Sequence, residues 1–262
     1  MTELIPQNLR QLKIAPLRFH LKTTTSFRLP EYKGAIFRGG FGQFFRDLVC
    51  TTRAPSCAGC PHVTSCPYSI VFETPVIPED FTILKKYPNA PHPFVLTPPL
   101  DRREMLPPGL DLSVDFTLIG RGLDYFPHFI HVVDAMGRSG RYGGVFRIER
   151  ITAPMNGGAL LYDGRLRKIV ASPRLWICGE EPAPVKSIAM EFVTPLRLRT
   201  GGNYNTAPDF VAVTHALLRR LHLLSAIYGG CAPDRSWLAP LMAQADTIRT
   251  ESASFQMFRW IA

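Results

Sequence analysis

Apolar and polar positions alternate in places through residues 11–29, with Leu17, Phe19 and Leu21 on one side, which predicts a strand with a partly exposed face. Over 34–49 the spacing turns helical, through Ile36, Phe37, Phe41, Phe44, Phe45 and Leu48. Gly39, Gly40 and Gly42 lie inside that helix, each weakening it by about 1 kcal/mol relative to Ala. Either another part of the chain approaches their backbone closely or the first turn is irregular. Residues 74–109 are Pro-rich and poorly periodic, a long loop with short strands or an insertion. Strict alternation returns in LDLSVDFTLIG at 110–120, a strand. A short helix follows over 122–135, then a Gly-rich turn and a strand over VFRIERI. Residues 154–184 read as irregular, and 187–199 as a strand interrupted by Pro195. The clearest helix spans 208–228, with Phe210, Val213, Leu217, Leu221, Leu224 and Tyr228 on its apolar stripe.

This order predicts an α+β fold of two tandem ferredoxin-like (RRM-like) domains. The first is expected over 1–150, with a cysteine segment at 50–66 and an insertion at 74–109. The second is expected over 151–262. No apolar run reaches the roughly 18 residues of a membrane span, and MTELIPQNLR has no signal pattern, so the expected location is the cytoplasm.

Charge adds a partner class. Thirty Lys and Arg face 21 Asp and Glu, a formal net charge of +9, and 23 of the thirty are Arg. Guanidinium binds phosphate through two donors and stacks on bases, whereas ammonium does neither. With 17 Phe and 8 Tyr beside them, the arginines point to nucleic acid before a membrane. A basic fold without a polyanion partner is the plainer reading.

Three segments carry candidate chemistry. Cys50, Cys57, Cys60 and Cys66 are spaced C-x6-C-x2-C-x5-C, and four thiolates so close can surround one tetrahedral ion. Structural zinc, an iron–sulfur cluster and no metal are all open, with His62 a possible substitute ligand. Cys178 and Cys231 stand apart and read as small core residues. In the turn MGRSGRYGG, Gly137, Gly140, Gly143 and Gly144 offer backbone amides while Arg138 and Arg141 add charge, a pattern able to track a phosphate backbone or simply to turn. Tyr32, Lys33 and Arg38 flank a helix start that favours a phosphate, near a strand carrying His20 and Arg28. Arg38 has no acidic neighbour in sequence; a solvated or salt-bridged arginine is the alternative. His215, Arg219 and His222 share the polar face of the last helix. No GxSxG, HExxH or paired-carboxylate signature is present.

Taken in order, GAIFRGGFGQFFRDLVC, CAGCPHVTSCPYSIVFE, PFVLTPP, LDLSVDFTLIGRG, FPHFIHVVDAMGRSGRYGGVFRIERI, MEFVTPLRLR and the LLRRLHLLSAIYGG helix form one continuous pattern. It resembles the CRISPR-associated endoribonucleases that process precursor CRISPR RNA, members of the RAMP superfamily, over roughly residues 30–230. The resemblance implies paired ferredoxin-like domains and a glycine-rich loop at Gly137–Gly144 contacting RNA. It implies metal-independent cleavage at the 3′ base of a repeat hairpin, the ribose 2′-hydroxyl attacking the adjacent phosphate to leave a 2′,3′-cyclic phosphate and a 5′-hydroxyl. It also implies retention of mature crRNA, assembly with other CRISPR effector subunits and a part in antiviral defence, with no membrane or small-molecule cofactor.

Many members of that family place a His near the start of the first helix as general base; this chain does not. Arg38 is then the expected phosphorane stabiliser, with Tyr32 and His20 as helpers. Arg28, Lys33, Arg138, Arg141, Arg219 and Arg220 are expected RNA contacts, and Lys85, Lys86, Arg102 and Arg103 are cations of an RNA-gripping insertion. The missing His equally suits a non-catalytic crRNA-binding subunit. A zinc-stabilised nucleic-acid adaptor is the third reading.

Overall fold

The computed structural model describes residues 7–75, 90–141, 143–176, 185–229 and 234–256. A short helix α1 (Gln7–Arg10) precedes strands β1 (Ile14–Thr23) and β2 (Phe27–Arg28) and helix α2 (Gly34–Val49). Strands β3 (Phe94–Thr97), β4 (Met105–Leu106) and β5 (Asp111–Ile119) follow, then helix α3 (Phe126–Arg138) and strands β6 (Phe146–Ala153), β7 (Ala159–Asp163) and β8 (Lys168–Ile169). The remainder holds β9 (Leu198–Thr200), β10 (Asn203–Asn205), α4 (Phe210–Tyr228) and α5 (Leu238–Ala245).

Six strands form one antiparallel sheet in the order β3-β5-β1-β6-β7-β8. Its first four strands, with α2 after β1 and α3 after β5, make the β-α-β-β-α-β order of a ferredoxin-like fold. Strands β2 and β4 pair separately. Alternation decides the faces: Ala15, Leu17, Phe19 and Leu21 of β1 are buried, as are Leu112, Val114, Phe116 and Leu118 of β5. Helix α2 covers that face with Phe37, Phe41, Phe44 and Phe45. The Phe41 ring centroid lies 4.9 Å from those of both Phe116 and Phe129. The close approach expected at the α2 glycines occurs at Gly42, where a Cβ would stand 2.9 Å from the Phe72 ring; Gly39 faces open space.

The chain divides into two units, Lys13–Ile177 and Met1–Leu12 with Cys178–Ala262. This differs from a boundary at 150, because β6 runs through that point and β7 and β8, expected as irregular chain, extend the same sheet. Among the described residues of the second unit there is one hairpin, β9 with β10, and helices α1, α4 and α5. The strand expected over 187–199 is reduced to β9, and Ile188, Met190, Phe192 and Val193 stay exposed, with no partner strand among the described residues. Helix α4 begins as the sequence suggests, with Asp209 capping the amide of Ala212 at 2.8 Å. Its stripe is rotated from the expected one. Leu217 is exposed, while His222, expected on the polar face, is buried against Trp237 and accepts from Arg235 Nε at 3.1 Å. By length and mean hydropathy (1.3) α4 is also long and apolar enough to cross a membrane, which its interrupted apolar pattern did not suggest. Cys178, Cys231, Lys85 and Lys86 lie outside the described residues.

Candidate functional site

Lys33 fixes the entrance to α2. Its side chain is fully buried, and its ammonium donates to the carbonyls of Pro30 (3.3 Å), Glu31 (3.2 Å), Asp101 (2.6 Å) and Arg103 (3.0 Å). Burial pushes the ammonium pKa below the usual lysine value. Expected as an RNA contact, Lys33 instead ties the segment before β4 to the helix start, and its donors are spent on backbone. Tyr32 lays its ring over Gly34, where a Cβ would fall 2.2 Å from ring atoms, and burial raises its phenol pKa.

One turn on, the Arg38 guanidinium lies over two rings, 5.5 Å from the centroid of Phe94 and 5.9 Å from that of Phe72. Burial lowers its pKa, yet a guanidinium remains charged at neutral pH. Phe72 belongs to a single π-helical turn, Ser69–Glu73, an element that recurs at functional sites. The turn extends the row of rings, because Tyr68 stacks on Phe72 at 5.4 Å and Arg46 lies 5.9 Å from the Tyr68 centroid. Burial first, then the Glu73 charge, raises the Tyr68 phenol to about 12.

After this turn, buried Thr74 takes the left-handed conformation, φ +41°, strained for a β-branched residue. Every polar group of Thr74 is engaged. Its amide donates to Ser69 O (2.7 Å), its carbonyl accepts from Ala90 N (2.8 Å), and its hydroxyl donates to Ala90 O (3.0 Å). A hydroxyl has one proton, so toward His92 Nδ1, 3.2 Å away, Thr74 only accepts. The neutral His92 ring therefore carries its proton on Nδ1 and its lone pair on Nε2. That ring packs against Phe94 (5.9 Å) and Phe72 (6.0 Å), the two rings beneath Arg38. Sequence reasoning missed His92 because an insertion carries it to α2; the block PFVLTPP, which begins one residue after it, was the available signal.

The structure separates the other expected residues from this cluster. His20 lies on the sheet face away from α2 and α3, alternating with buried Phe19 and Leu21. Its Nε2 is 3.0 Å from Thr152 Oγ1, and burial, then Arg150 and Arg18, lower its pKa. Two of its neighbours on that face are paired, Arg18 with Asp115 (2.7 Å) and Lys22 with Asp111 (3.4 Å). A sheet thus stands between His20 and Arg38. Gly137 and Arg138 belong to α3 rather than to a loop. Gly137 lets the helix touch β6, where a Cβ would meet Phe146 O at 2.3 Å, and Arg138 pairs with Asp134 at 2.8 Å. Gly140 and Gly143 do take positive φ, +61° and +86°. Between them Arg141 pairs with Asp47 (3.3 Å) and lies 4.8 Å from the Phe44 centroid. Asp47 is nine residues beyond Arg38, half a turn round α2, so this loop grips the opposite flank of the helix. Arg28 is paired with Glu104, Arg102 with Glu31 (3.7 Å), and Arg103 with Asp101. Arg219 and Arg220 are exposed on α4.

The four cysteines are free thiols lining one cavity of about 260 Å³, with Arg46, His62 and Tyr68 also on its wall. Thr52 Oγ1 lies 3.7 Å from Cys50 Sγ and 3.9 Å from Cys60 Sγ. Among the described residues, no three His, Cys, Asp or Glu side chains stand close enough to share an ion.

A family model described as an N-terminal domain, AF_1859_N, matches residues 12–174, more than half of the chain and nearly all of the sheet-bearing unit. An uncharacterized protein of Archaeoglobus fulgidus is 27% identical over 206 residues, 78% of this chain. The aligned stretch spans just under two thirds of that relative's length, 66%.

Proposed function

The chain belongs to the AF_1859_N family through residues 12–174, and from the geometry within that stretch we propose that it is a metal-independent endoribonuclease of precursor CRISPR RNA, acting in the cytoplasm. The observation that carries the reading is the pairing of Arg38 and His92 on the same two rings, Phe72 and Phe94. Internal transesterification needs a proton acceptor and a cation at the phosphate. His92 Nε2 takes the proton of the ribose 2′-hydroxyl; the 2′-oxygen attacks phosphorus. The bond to the 5′-oxygen breaks, and that oxygen leaves with a proton from water. Arg38 neutralises the charge gathered on the phosphorane. The ladder Arg46–Tyr68–Phe72–Arg38–Phe94 suits unpaired bases flanking a hairpin, which stack on rings and guanidinium planes. Arg138, Arg141, Arg219 and Arg220 supply backbone contacts, Arg138 and Arg141 by exchanging a carboxylate for a phosphate. The cleaved crRNA stays bound and passes with the protein into an effector complex.

The test is incubation of the purified chain with end-labelled CRISPR-repeat hairpin RNA in EDTA. Cleavage at the 3′ base of the stem, a 2′,3′-cyclic phosphate on the product and full protection by a 2′-deoxyribose at the scissile position are expected. Tight binding with no cyclic phosphate would instead establish a non-catalytic crRNA subunit, the reading favoured by the separation of His20 from Arg38. Binding without preference for repeat hairpins would leave only a nucleic-acid adaptor.

A further inference from the structure

The segment 50–66 is seventeen residues long, and in it only Cys50, Ala54, Cys57, Cys60, Val63 and Cys66 are not exposed. Two of these six are small or medium apolar side chains; the other four are thiols. So small an apolar content cannot hold a segment of this length against its chain entropy. Nor is it held by regular structure. Its backbone–backbone bonds are isolated turns, such as Cys57 O to Cys60 N at 3.1 Å, Cys60 O to Val63 N at 3.1 Å and His62 O to Cys66 N at 2.8 Å, and two side chains of the flanking elements tether it, Arg46 donating to Ala54 O and Ser69 Oγ to Val63 O at 2.6 Å. Yet the segment joins two fixed elements. Cys50 closes α2, its amide bonded to Arg46 O at 2.9 Å, and Cys66 O accepts from Ile70 N at 2.9 Å, inside the turn that carries Tyr68 and Phe72. All four thiols line one cavity.

We propose that Cys50, Cys57, Cys60 and Cys66 bind one zinc ion that staples this segment and so fixes the Tyr68–Phe72 turn against α2. The inward side of the segment is made of ligand residues where a core would otherwise stand. Zinc accepts four thiolates in a closed tetrahedral shell and contributes folding energy directly. In this structure the sulfurs line the cavity without converging, so binding must draw them inward. The turns between them, free of helix or sheet bonds, allow that movement. The Thr52 hydroxyl, between Cys50 and Cys60, is placed to donate to a bound thiolate, as outer-shell groups do. The inference does not depend on RNA cleavage, and its test reads metal and backbone protection alone.

The full chain, purified under reducing conditions without chelator, is expected to contain one zinc per chain by elemental analysis. A mercurial thiol reagent should release it stoichiometrically to a metallochromic dye. C57S/C60S should lose the zinc, whereas C178S, which removes none of the four proposed ligands, should retain it. Should C57S/C60S not fold, zinc is stripped from the wild-type chain by chelator at neutral pH. Proteolysis should then open sites within 50–66, and added zinc chloride should close them. Folded wild-type protein without zinc, iron with inorganic sulfide in its place, or equal protease resistance with and without zinc each overturns the proposal.

Discussion

Arg38 and His92 hold different parts of the reaction, and their variants should separate accordingly. Arg38→Ala removes the cation but leaves the other phosphate contacts, so single-turnover cleavage should fall by about 10²–10³-fold with little change in RNA affinity. An equal loss of both would make Arg38 a binding residue only. His92→Ala removes the base and should cost about 10²–10⁴-fold. Thr74→Val deletes the hydroxyl that fixes the His92 tautomer while nearly conserving shape, so it should slow cleavage less than His92→Ala. His20→Ala, on the far face of the sheet, should cleave at the parent rate. A rate loss at His20 with none at His92 would reverse the assignment. Lys33 makes the complementary point about stability. Lys33→Met leaves four part-buried carbonyls without their shared donor, which should cost about 2–4 kcal/mol in urea unfolding, since an orphaned buried acceptor costs about 1–3 kcal/mol and water satisfies some of them. A Lys33 directed at RNA would show the opposite pattern, weak binding with unchanged stability.

At the scale of elements, the fold was largely legible because periodicity reports which face is buried. The alternations in β1 and β5, the Phe spacing of α2 and the turn before β6 each mark one face, and those faces together define the sheet. Where an element is short or packs on little, the signal fails. Strands β7 and β8 are five and two residues, too short for a period. The alternation over 187–197 meets no partner strand among the described residues and stays largely exposed. The site was half legible. Arg38 stands out as a cation without a local acid, whereas His92 reaches it only through pairing of β3 with β5 and a strained Thr74, contacts that no local pattern encodes. Gly137 looked like a loop residue because glycine usually ends a helix; here it is kept for contact. Gly137→Ala places a Cβ 2.3 Å from Phe146 O, a backbone atom of a central strand that cannot easily yield. Gain in helix propensity, about 1 kcal/mol, should be outweighed by an overpacking cost of about 1–3 kcal/mol, so the melting temperature should fall rather than rise.

For the molecule as a whole, charge on buried imidazoles sets how acid affects stability. Burial lowers the pKa of His20, His128 and His222, and in each case neighbouring cationic or imidazole groups lower it further. Around His20 the Arg150 and Arg18 charges outweigh the opposing Asp115 and Asp111; around His222 Arg235 opposes Asp234. His128 buries an Nδ1 without a hydrogen-bond partner, and a second proton on His222 would have to enter at Nε2, which already accepts from Arg235 Nε. The folded state thus prefers all three neutral, while the unfolded chain protonates them near the ordinary value of 6.5. Below that pH the unfolded state binds more protons, and stability must fall as pH drops from about 6.5 toward the lowered folded values; above 6.5 the contribution is complete. Thermal melts at constant ionic strength should therefore be flat from pH 7 to 8 and decline between about pH 6.5 and 5, a window in which carboxylates scarcely titrate. The variant His20→Asn/His128→Asn/His222→Asn will be less stable at every pH, because Asn fills less of the space against Phe45 and Trp237. Its slope between pH 6.5 and 5 should nonetheless be shallower than the parent's. An unchanged slope in that variant would place the acid sensitivity elsewhere and would mean that these three rings reach solvent before they take up a proton.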